Sequence, residues 1–345
     1  MPIVGLNIKV MKVLKQTIGV DVSKDTLSCC LGYLDQDRNE FYSKARIFEN
    51  APSGFTQLQK WIKSQSMSCD EIWYIMEATG VYYEHLAYWL LEKGLNVSVL
   101  LPNKVNHYAK TLEIKTKTDA VDARILSKLG LERKMKQWAI PTPLMREIRF
   151  LTRELRESKA KLVVTKNQLH AKEHSYACSK STIRRLKKQI RLLESQVVEI
   201  EAELRVLAMN DSALSKKIEK LESIPGVSFM TIICILGETN AFALFSSSKQ
   251  LVSYAGLDIR QKQSGMKVGK SKISKQGNSF IRNALYMPAL CSSRHNPDLK
   301  TFYNRVNQNK PSKKIGVTAV ARKLLVLMYA IWKNDMEFIP NFSTN

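Results

Sequence analysis

From Leu144 to Ile224 the chain contains neither glycine nor proline. A segment of that length without either residue lacks the chemical punctuation of turns and strand ends, and reads as helix. Within it, Leu186, Ile190, Leu193, Val197, Ile200, Leu204 and Leu207 recur at alternating steps of four and three, an a/d seam held for three heptads. Ile148, Leu151, Leu155, Leu162 and Leu169 form a looser seam upstream. The polar, small-residue segment from His174 to Ser181 is where the chain turns. The pattern therefore predicts two long helices over 143–222. They fold back on one another as a hairpin or pair with a second copy as a coiled coil, and the seam alone fits both.

Residues 16–140 read differently. Thr17 to Ser23 is a short β-branched run ending in a polar turn, and Ser28 to Leu34 and Phe41 to Phe48 continue it as a meander, with Asp35 to Asn39 as the hairpin turn. Pro52 to Ser64 is helical in pattern, with Phe55, Leu58, Trp61 and Ile62 on one face. Ile72 to Met76 is a buried strand, Tyr82 to Lys93 a helix stopped by Gly94, and Val97 to Leu101 a strand stopped by Pro102. Three meander strands, a helix, then strand, helix, strand is the element order of a ribonuclease-H-like fold, a mixed sheet flanked by helices.

The third region, 223–335, opens on Ser223-Ile-Pro-Gly-Val-Ser-Phe-Met. A Pro-Gly-Val turn between helical segments is the mark of a helix-hairpin-helix. Gly226 permits a tight turn whose backbone N–H groups can face a phosphate without reading sequence. The rest of the region is mostly helical in pattern. The expected class is therefore α/β plus all-α: a mixed sheet with helices, a long helical hairpin, and a C-terminal helical domain.

Charge points to the partner. The chain carries a net +23, and from Lys249 to Lys333 there are 17 Lys and Arg against two acids, Asp258 and Asp298, a net +15. A block so basic repels itself unless it meets a polyanion, and phosphate backbones are the commonest. Tyr254, Phe280, Tyr286, Phe302 and Tyr303, interleaved with the cations, favour nucleic acid further. Other classes recede. The 345 residues suffice for two or three domains. Six scattered cysteines without a Cys-x-x-Cys pair indicate neither a disulfide framework nor a zinc site, and fit a reduced cytoplasm. His170 and His174, spaced i,i+4, are read as facing solvent. Met1 to Lys15 lacks the features of a signal peptide, and no apolar run suggests a membrane span.

The candidate chemistry lies in four acids. Asp21 ends the first strand and Glu77 follows the strand Ile72 to Met76; in a ribonuclease-H-like sheet these strands are neighbours. Asp119 and Asp122, i,i+3 apart, share one face of a helix for which Thr118 is the N-cap. Four carboxylates meeting at one place repel unless cations hold them, and hard oxygen donors suit Mg²⁺ or Mn²⁺. Such ions serve phosphoryl transfer by activating the attacking oxygen and stabilising the leaving one.

Seven short motifs carry a resemblance. Gly19-Val-Asp-Val-Ser-Lys24, Glu77-Ala-Thr-Gly-Val-Tyr82, Lys117-Thr-Asp-Ala-Val-Asp-Ala-Arg124, Ile224-Pro-Gly-Val227, Tyr254-Ala-Gly-Leu257, Gln263-Ser-Gly265 and Ile273-Ser-Lys-Gln-Gly-Asn278 stand in the order of one family. The chain, from about residue 16 to 333, resembles the insertion-sequence transposases with a RuvC-like DEDD domain, the bridge recombinases, which include related DNA invertases. The resemblance implies a RuvC-like catalytic domain at 16–140, a coiled-coil linker or oligomerisation region at 143–222, and a transposase domain with a catalytic serine at 223–335. It implies that Asp21, Glu77, Asp119 and Asp122 bind Mg²⁺ or Mn²⁺. Donor and target DNA, a structured noncoding guide RNA encoded by the element, and further copies of the chain in a dimer or tetramer are the implied partners.

By the same resemblance Ser264 is the nucleophile that forms a covalent link to DNA. A hydroxyl is a weak nucleophile at neutral pH. The family reading sets the serine of one subunit against the carboxylates of another. The residues alone leave Ser271 and Ser274 as rival hydroxyls. Lys267, Lys270, Lys272, Lys275 and Arg282 would neutralise phosphates around the serine, and Gly265, Gly269 and Gly277 would admit the DNA backbone. Beside a transposase, three other readings remain: an invertase of the same family, a resolvase-like nuclease using metals alone, and a nucleic-acid-binding protein without catalysis.

Overall fold

A computed structural model describes residues 13–66, 72–261, 263–264, 267–269 and 272–339. The chain divides after Ala139 into two compact units.

The first unit is a mixed α/β structure. In chain order it comprises β1 (Val13–Val22), β2 (Thr26–Asp35), β3 (Glu40–Tyr42), β4 (Arg46–Glu49), α1 (Pro52–Gln65), β5 (Ile72–Glu77), α2 (Glu84–Glu92), β6 (Asn96–Leu100), α3 (Pro102–Thr111) and α4 (Asp119–Glu132). The strands form one sheet in the order β3-β2-β1-β5-β6, with β4 also on β2. β1 runs antiparallel to β2 and parallel to β5, which is parallel to β6. Asp35 closes the β2–β3 hairpin by accepting from the Asn39 amide at 2.7 Å and its side-chain nitrogen at 3.1 Å.

The strand expected over Phe41 to Phe48 is two. Tyr42 pairs with Gly32 and Arg46 with Cys29, so Ser43, Lys44 and Ala45 face only Cys30 and Leu31. One residue too many makes a bulge. Ser43 fills it: its amide donates to the Leu31 carbonyl and its hydroxyl accepts from the Leu31 amide. Pro102 ends the preceding strand as expected, but it also starts α3 at the first helical position, where its missing N–H costs nothing.

The second unit is helical: α5 (Pro143–Glu173), α6 (Lys180–Met209), α7 (Ser212–Glu222), α8 (Phe229–Thr239) and α9 (Ser248–Tyr254), then the two-residue strands β7 (Ile259–Arg260), β8 (Gln263–Ser264), β9 (Lys267–Val268) and β10 (Lys272–Ile273), and finally α10 (Ser279–His295), α11 (Pro297–Asn307) and α12 (Lys314–Asn334). α5 and α6 pack on each other within the chain. Lys159 pairs with Glu201, Lys166 with Glu194 and Glu173 with Lys187. Each step of seven along α5 is matched by seven backwards along α6, so the helices are antiparallel. Every seam residue from Leu186 to Leu207 is buried or half-buried, as are Ile148, Leu151, Leu155, Leu162 and Leu169.

One apolar core joins this hairpin to the helices that follow, from Met145, Ile148 and Leu155 through Ile232, Leu236 and Leu285 to Leu324 and Met328. α12, with a mean hydropathy of 1.6 over its most apolar stretch, is long and apolar enough to cross a membrane, against the expectation that no such run exists. Val317, Val320, Ala321, Leu324, Leu325, Met328 and Ile331 instead bury one side of α12 in this core.

Candidate active site

The sheet brings two of the acids side by side. Val20 is in register with Met76 across the parallel β1–β5 pair, so Asp21 and Glu77 leave neighbouring strands at the same end. α4 delivers the other two. Thr118 caps it, its hydroxyl accepting from the Val121 amide at 3.3 Å, which fixes Asp119 and Asp122 in the first turn. α4 lies against β1 through Thr17, whose hydroxyl donates to the Ser127 carbonyl at 2.8 Å.

The electrostatics show the result. Burial first, then Asp122, Asp119 and Glu77, push the Asp21 carboxyl up to about 6, with Lys117 pulling the other way. Asp21, Asp122 and Glu77 are half-buried and Asp119 is exposed. Glu77 also accepts from the Thr79 hydroxyl at 2.8 Å. Among the described residues no three acid, histidine or cysteine side chains converge into a closed metal-binding group. The donor chemistry nonetheless fits a hard divalent cation, since carboxylates that destabilise one another's charge are relieved by one.

Ser264 belongs to the second unit. It sits on β8, where the backbone pairs Ser264 with Lys267 and Gln263 with Val268. Below this hairpin, β7 and β10 pair Arg260 with Lys272 and Ile259 with Ile273. The base is clamped: the Ser274 amide donates to the Asp258 carbonyl at 2.8 Å, Lys275 to Gly256 at 3.1 Å and Asn278 to Tyr254 at 2.7 Å. Ser264 therefore lies on a β ribbon closed at its foot. Gly265, Lys270 and Ser271 lie outside the described residues.

The remaining predicted residues divide by what they touch. Lys272 and Lys275 are exposed. The Arg282 guanidinium donates to the Ala255 carbonyl at 2.9 Å and to Gly277 at 3.0 Å, and so binds the ribbon's base. Ser274 donates its hydroxyl to Asp258. Gly226, at φ +92°, makes a turn closed by the Val227 amide on the Ile224 carbonyl. A β-carbon there would meet the Ser292 hydroxyl at 2.5 Å, so the glycine's freedom serves a close approach to α10. Tyr254, Phe302 and Tyr303 pack on the core, and Tyr286 is exposed.

One buried polar group escaped the sequence reading. Glu238, near the end of α8, is 2% exposed. Arg153 of α5 grips both its oxygens, at 2.7 and 2.9 Å, and Asn278 donates to it at 2.6 Å. The Tyr254 hydroxyl donates to the Glu238 carbonyl at 3.3 Å. Arg153 and Arg156 both stack on Phe280, each 4.4 Å from the ring centre. The available signal was a lone acid after the apolar run Phe229 to Gly237, since a charge there must be paired.

The chain is similar to known transposases and to pilin gene-inverting proteins. Residues 18–173 match the DEDD transposase family of IS110. Residues 218–304 match the transposase family IS116/IS110/IS902. The pilin gene-inverting proteins of Moraxella bovis and Moraxella lacunata are each 30% identical over 329 residues, spanning 94% of this chain and 98% of theirs. The transposase for insertion sequence element IS1111A of Coxiella burnetii is 22% identical over 347 residues, 91% of this chain and 88% of its own. A chain with both family segments in order, and a relative matched over nearly its full length, belongs to the IS116/IS110/IS902 transposase family, recombinases that cleave and rejoin DNA.

Proposed function

We propose that this protein recombines DNA through a divalent-metal carboxylate site and a covalent serine. The observation that carries the metal site is the placement of Asp21 and Glu77 at the same end of neighbouring strands, with Asp119 and Asp122 in the first turn of α4, where burial and these neighbours push the Asp21 carboxyl up to about 6. The sheet order β3-β2-β1-β5-β6 supports a ribonuclease-H-like first domain, 16–140. The α5–α6 pair supports a coiled-coil linker over 143–222, and the Ile224 to Val227 turn between α7 and α8 supports a helix-hairpin-helix within 223–335.

Asp21, Glu77, Asp119 and Asp122 would hold Mg²⁺ or Mn²⁺. When bound, the ions lower the cost of deprotonating an attacking hydroxyl and of charge on the leaving oxygen. Ser264 Oγ attacks a DNA phosphorus, one P–O bond to a deoxyribose oxygen breaks, and that oxygen leaves as a hydroxyl. A DNA hydroxyl later attacks the phosphoserine and returns the serine. The exposed Lys272 and Lys275, with Lys267 and Lys270, neutralise the phosphates. Recognition rests on backbone and shape, with base choice supplied by a structured guide RNA, and the serine and carboxylates come from different copies in a dimer or tetramer.

Asp21→Asn and Asp122→Asn test the metal site. Each should abolish cleavage of element-end DNA with Mg²⁺ while DNA still binds, and full cleavage by Asp21→Asn would overturn it.

A second reading, a site-specific invertase, is favoured by one observation: identity is 30% to the pilin gene-inverting proteins and 22% to the IS1111A transposase. A plasmid with two inverted sites separates them. The invertase flips the segment between the sites; the transposase moves its element to a new target.

A further inference from the structure

We infer that Asn278 and Glu238 are positioning residues that hold the serine ribbon in place against α5. The inference rests on the proposed role of Ser264. The ribbon between β7 and β10 leaves the helical core at Gly256 to Asp258 and returns at Ser274 to Asn278, so its direction is set where those two strands meet. Asn278 stands at that point and bonds through its amide and both side-chain heteroatoms. Its amide donates to the Tyr254 carbonyl, closing the ribbon's foot. Its Oδ1 accepts from the Phe280 and Ile281 amides at 2.8 and 3.2 Å, capping α10. Its Nδ2 donates to Glu238 at 2.6 Å.

Glu238 carries the link onward. Its carboxylate is buried, and its other contacts are the forked donors of Arg153 on α5, with the Arg153 plane held on Phe280, two residues after Asn278. A planar fork on a buried carboxylate fixes direction as well as distance. α5, α8, the foot of the ribbon and the start of α10 thus meet on one carboxylate. A hydroxyl that must attack in line loses rate steeply when its carrier shifts, so a small change at this junction should reach the chemistry.

Asn278→Asp and Glu238→Gln separate positioning from folding. Asp caps a helix as well as Asn does, so Asn278→Asp keeps the cap but loses the donor to Glu238 and its longer 3.5 Å contact with the Tyr254 hydroxyl, placing two carboxylates face to face. Glu238→Gln breaks the same link from the other side and, because Arg153 Nη2 donates to the same oxygen, keeps only the Arg153 Nε bond. In the double variant the amide introduced at position 238 can donate to the carboxylate introduced at position 278 while still accepting from Arg153. Each single variant should lower the recombination rate by about tenfold or more at unchanged DNA affinity and folded fraction, and the double variant should recover most of it.

Single variants at full rate, or a double variant no better than the weaker single, would overturn the inference. So would rate losses that only track the folded fraction. Should Asn278→Asp not fold, Glu238→Gln against the double variant carries the same comparison. Ser264→Ala, assayed in parallel for covalent adduct, keeps the two readings apart. A persisting adduct there removes the serine assignment, whereas a failed rescue removes only the positioning.

Discussion

Gly19 faces Ala123 so closely that a β-carbon on the glycine would lie 2.0 Å from the Ala123 carbonyl oxygen. Gly19 and Asp21 share one face of β1, since side chains alternate along a strand. The missing side chain at 19 is what lets α4 settle on that face at Ala123, one turn after Asp119 and next to Asp122. The glycine thus belongs to the acidic site although it carries no chemistry.

Gly19→Ala should therefore destabilise the first unit by at least about 2 kcal/mol, because the added methyl meets backbone that cannot rotate away. Denaturant unfolding measures it. An unchanged midpoint would mean that α4 does not sit on β1 as described.

Asp21 gives a pH-dependent contrast. Its carboxyl is raised to about 6 from an ordinary value of 3.8. The stability it contributes is complete below about pH 4 and is lost as pH rises through about 6. Asp21→Asn removes that loss. The variant should be more stable than wild type at pH 7.5, by on the order of 1 kcal/mol once solvent screening is allowed for, and no more stable near pH 4. Thermal melts at both pH values check it. Added Mg²⁺ at pH 7.5 should raise the wild-type midpoint more than that of the variant.

The ion pairs should rank by burial. Arg153→Ala leaves Glu238 buried and charged with Asn278 as its remaining side-chain donor, at a cost of about 3–5 kcal/mol. Lys166→Ala removes an exposed partner of Glu194 and should cost under about 1 kcal/mol. Comparable losses from the two would contradict the burial of Glu238.

Much of this was legible beforehand, and the reason differs from place to place. The long helices α5 and α6 could be read because Leu186 to Leu207 obey a helical period, and periodicity is local; that they pair with each other could not, since the seam fits a second copy equally well. That Glu77, Asp119 and Asp122 are charge neighbours of Asp21 could be read because each sits at or near an element's end, and element order fixes which ends adjoin. Glu238 could not be read, since its partners Arg153 and Asn278 lie far away in sequence and no spacing connects them. The bulge at Ser43 depends on register, which a run of β-formers leaves undefined. Arg282 reads in sequence as one more phosphate-binding cation, yet it donates to Ala255 and Gly277, because charge composition does not say which way a guanidinium points.

Salt dependence tests the basic ribbon as a whole. Each neutralised phosphate releases counterions, so DNA affinity should fall steeply with ionic strength. Replacing Lys267, Lys270 and Lys272 together by Ala should flatten the slope of log affinity against log salt by about 2 to 3. Replacing Lys159, Lys166 and Lys187, which pair with acids across the hairpin, should leave it nearly unchanged. Equal slopes for the two triple variants would show that the ribbon does not face phosphate.

The last prediction concerns which hydroxyl reacts. Ser274 Oγ donates to Asp258 at the foot of the ribbon, where the Ser274 amide also binds the Asp258 carbonyl. A hydroxyl so engaged braces the strand pair. Ser274→Ala should therefore cost stability of about 1 kcal/mol, leave covalent adduct formation intact and lower recombination only modestly. Ser264→Ala should do the opposite. It removes one oxygen from a two-residue strand, so stability should hold within about 0.5 kcal/mol. Adduct and recombination should vanish together while DNA still binds. The assay is denaturing electrophoresis of protein with end-labelled DNA, followed by mapping of the labelled peptide. An adduct from Ser264→Ala that maps to residue 274 would exchange the two roles. Recombination by Ser264→Ala without any adduct would assign the whole reaction to the carboxylate site.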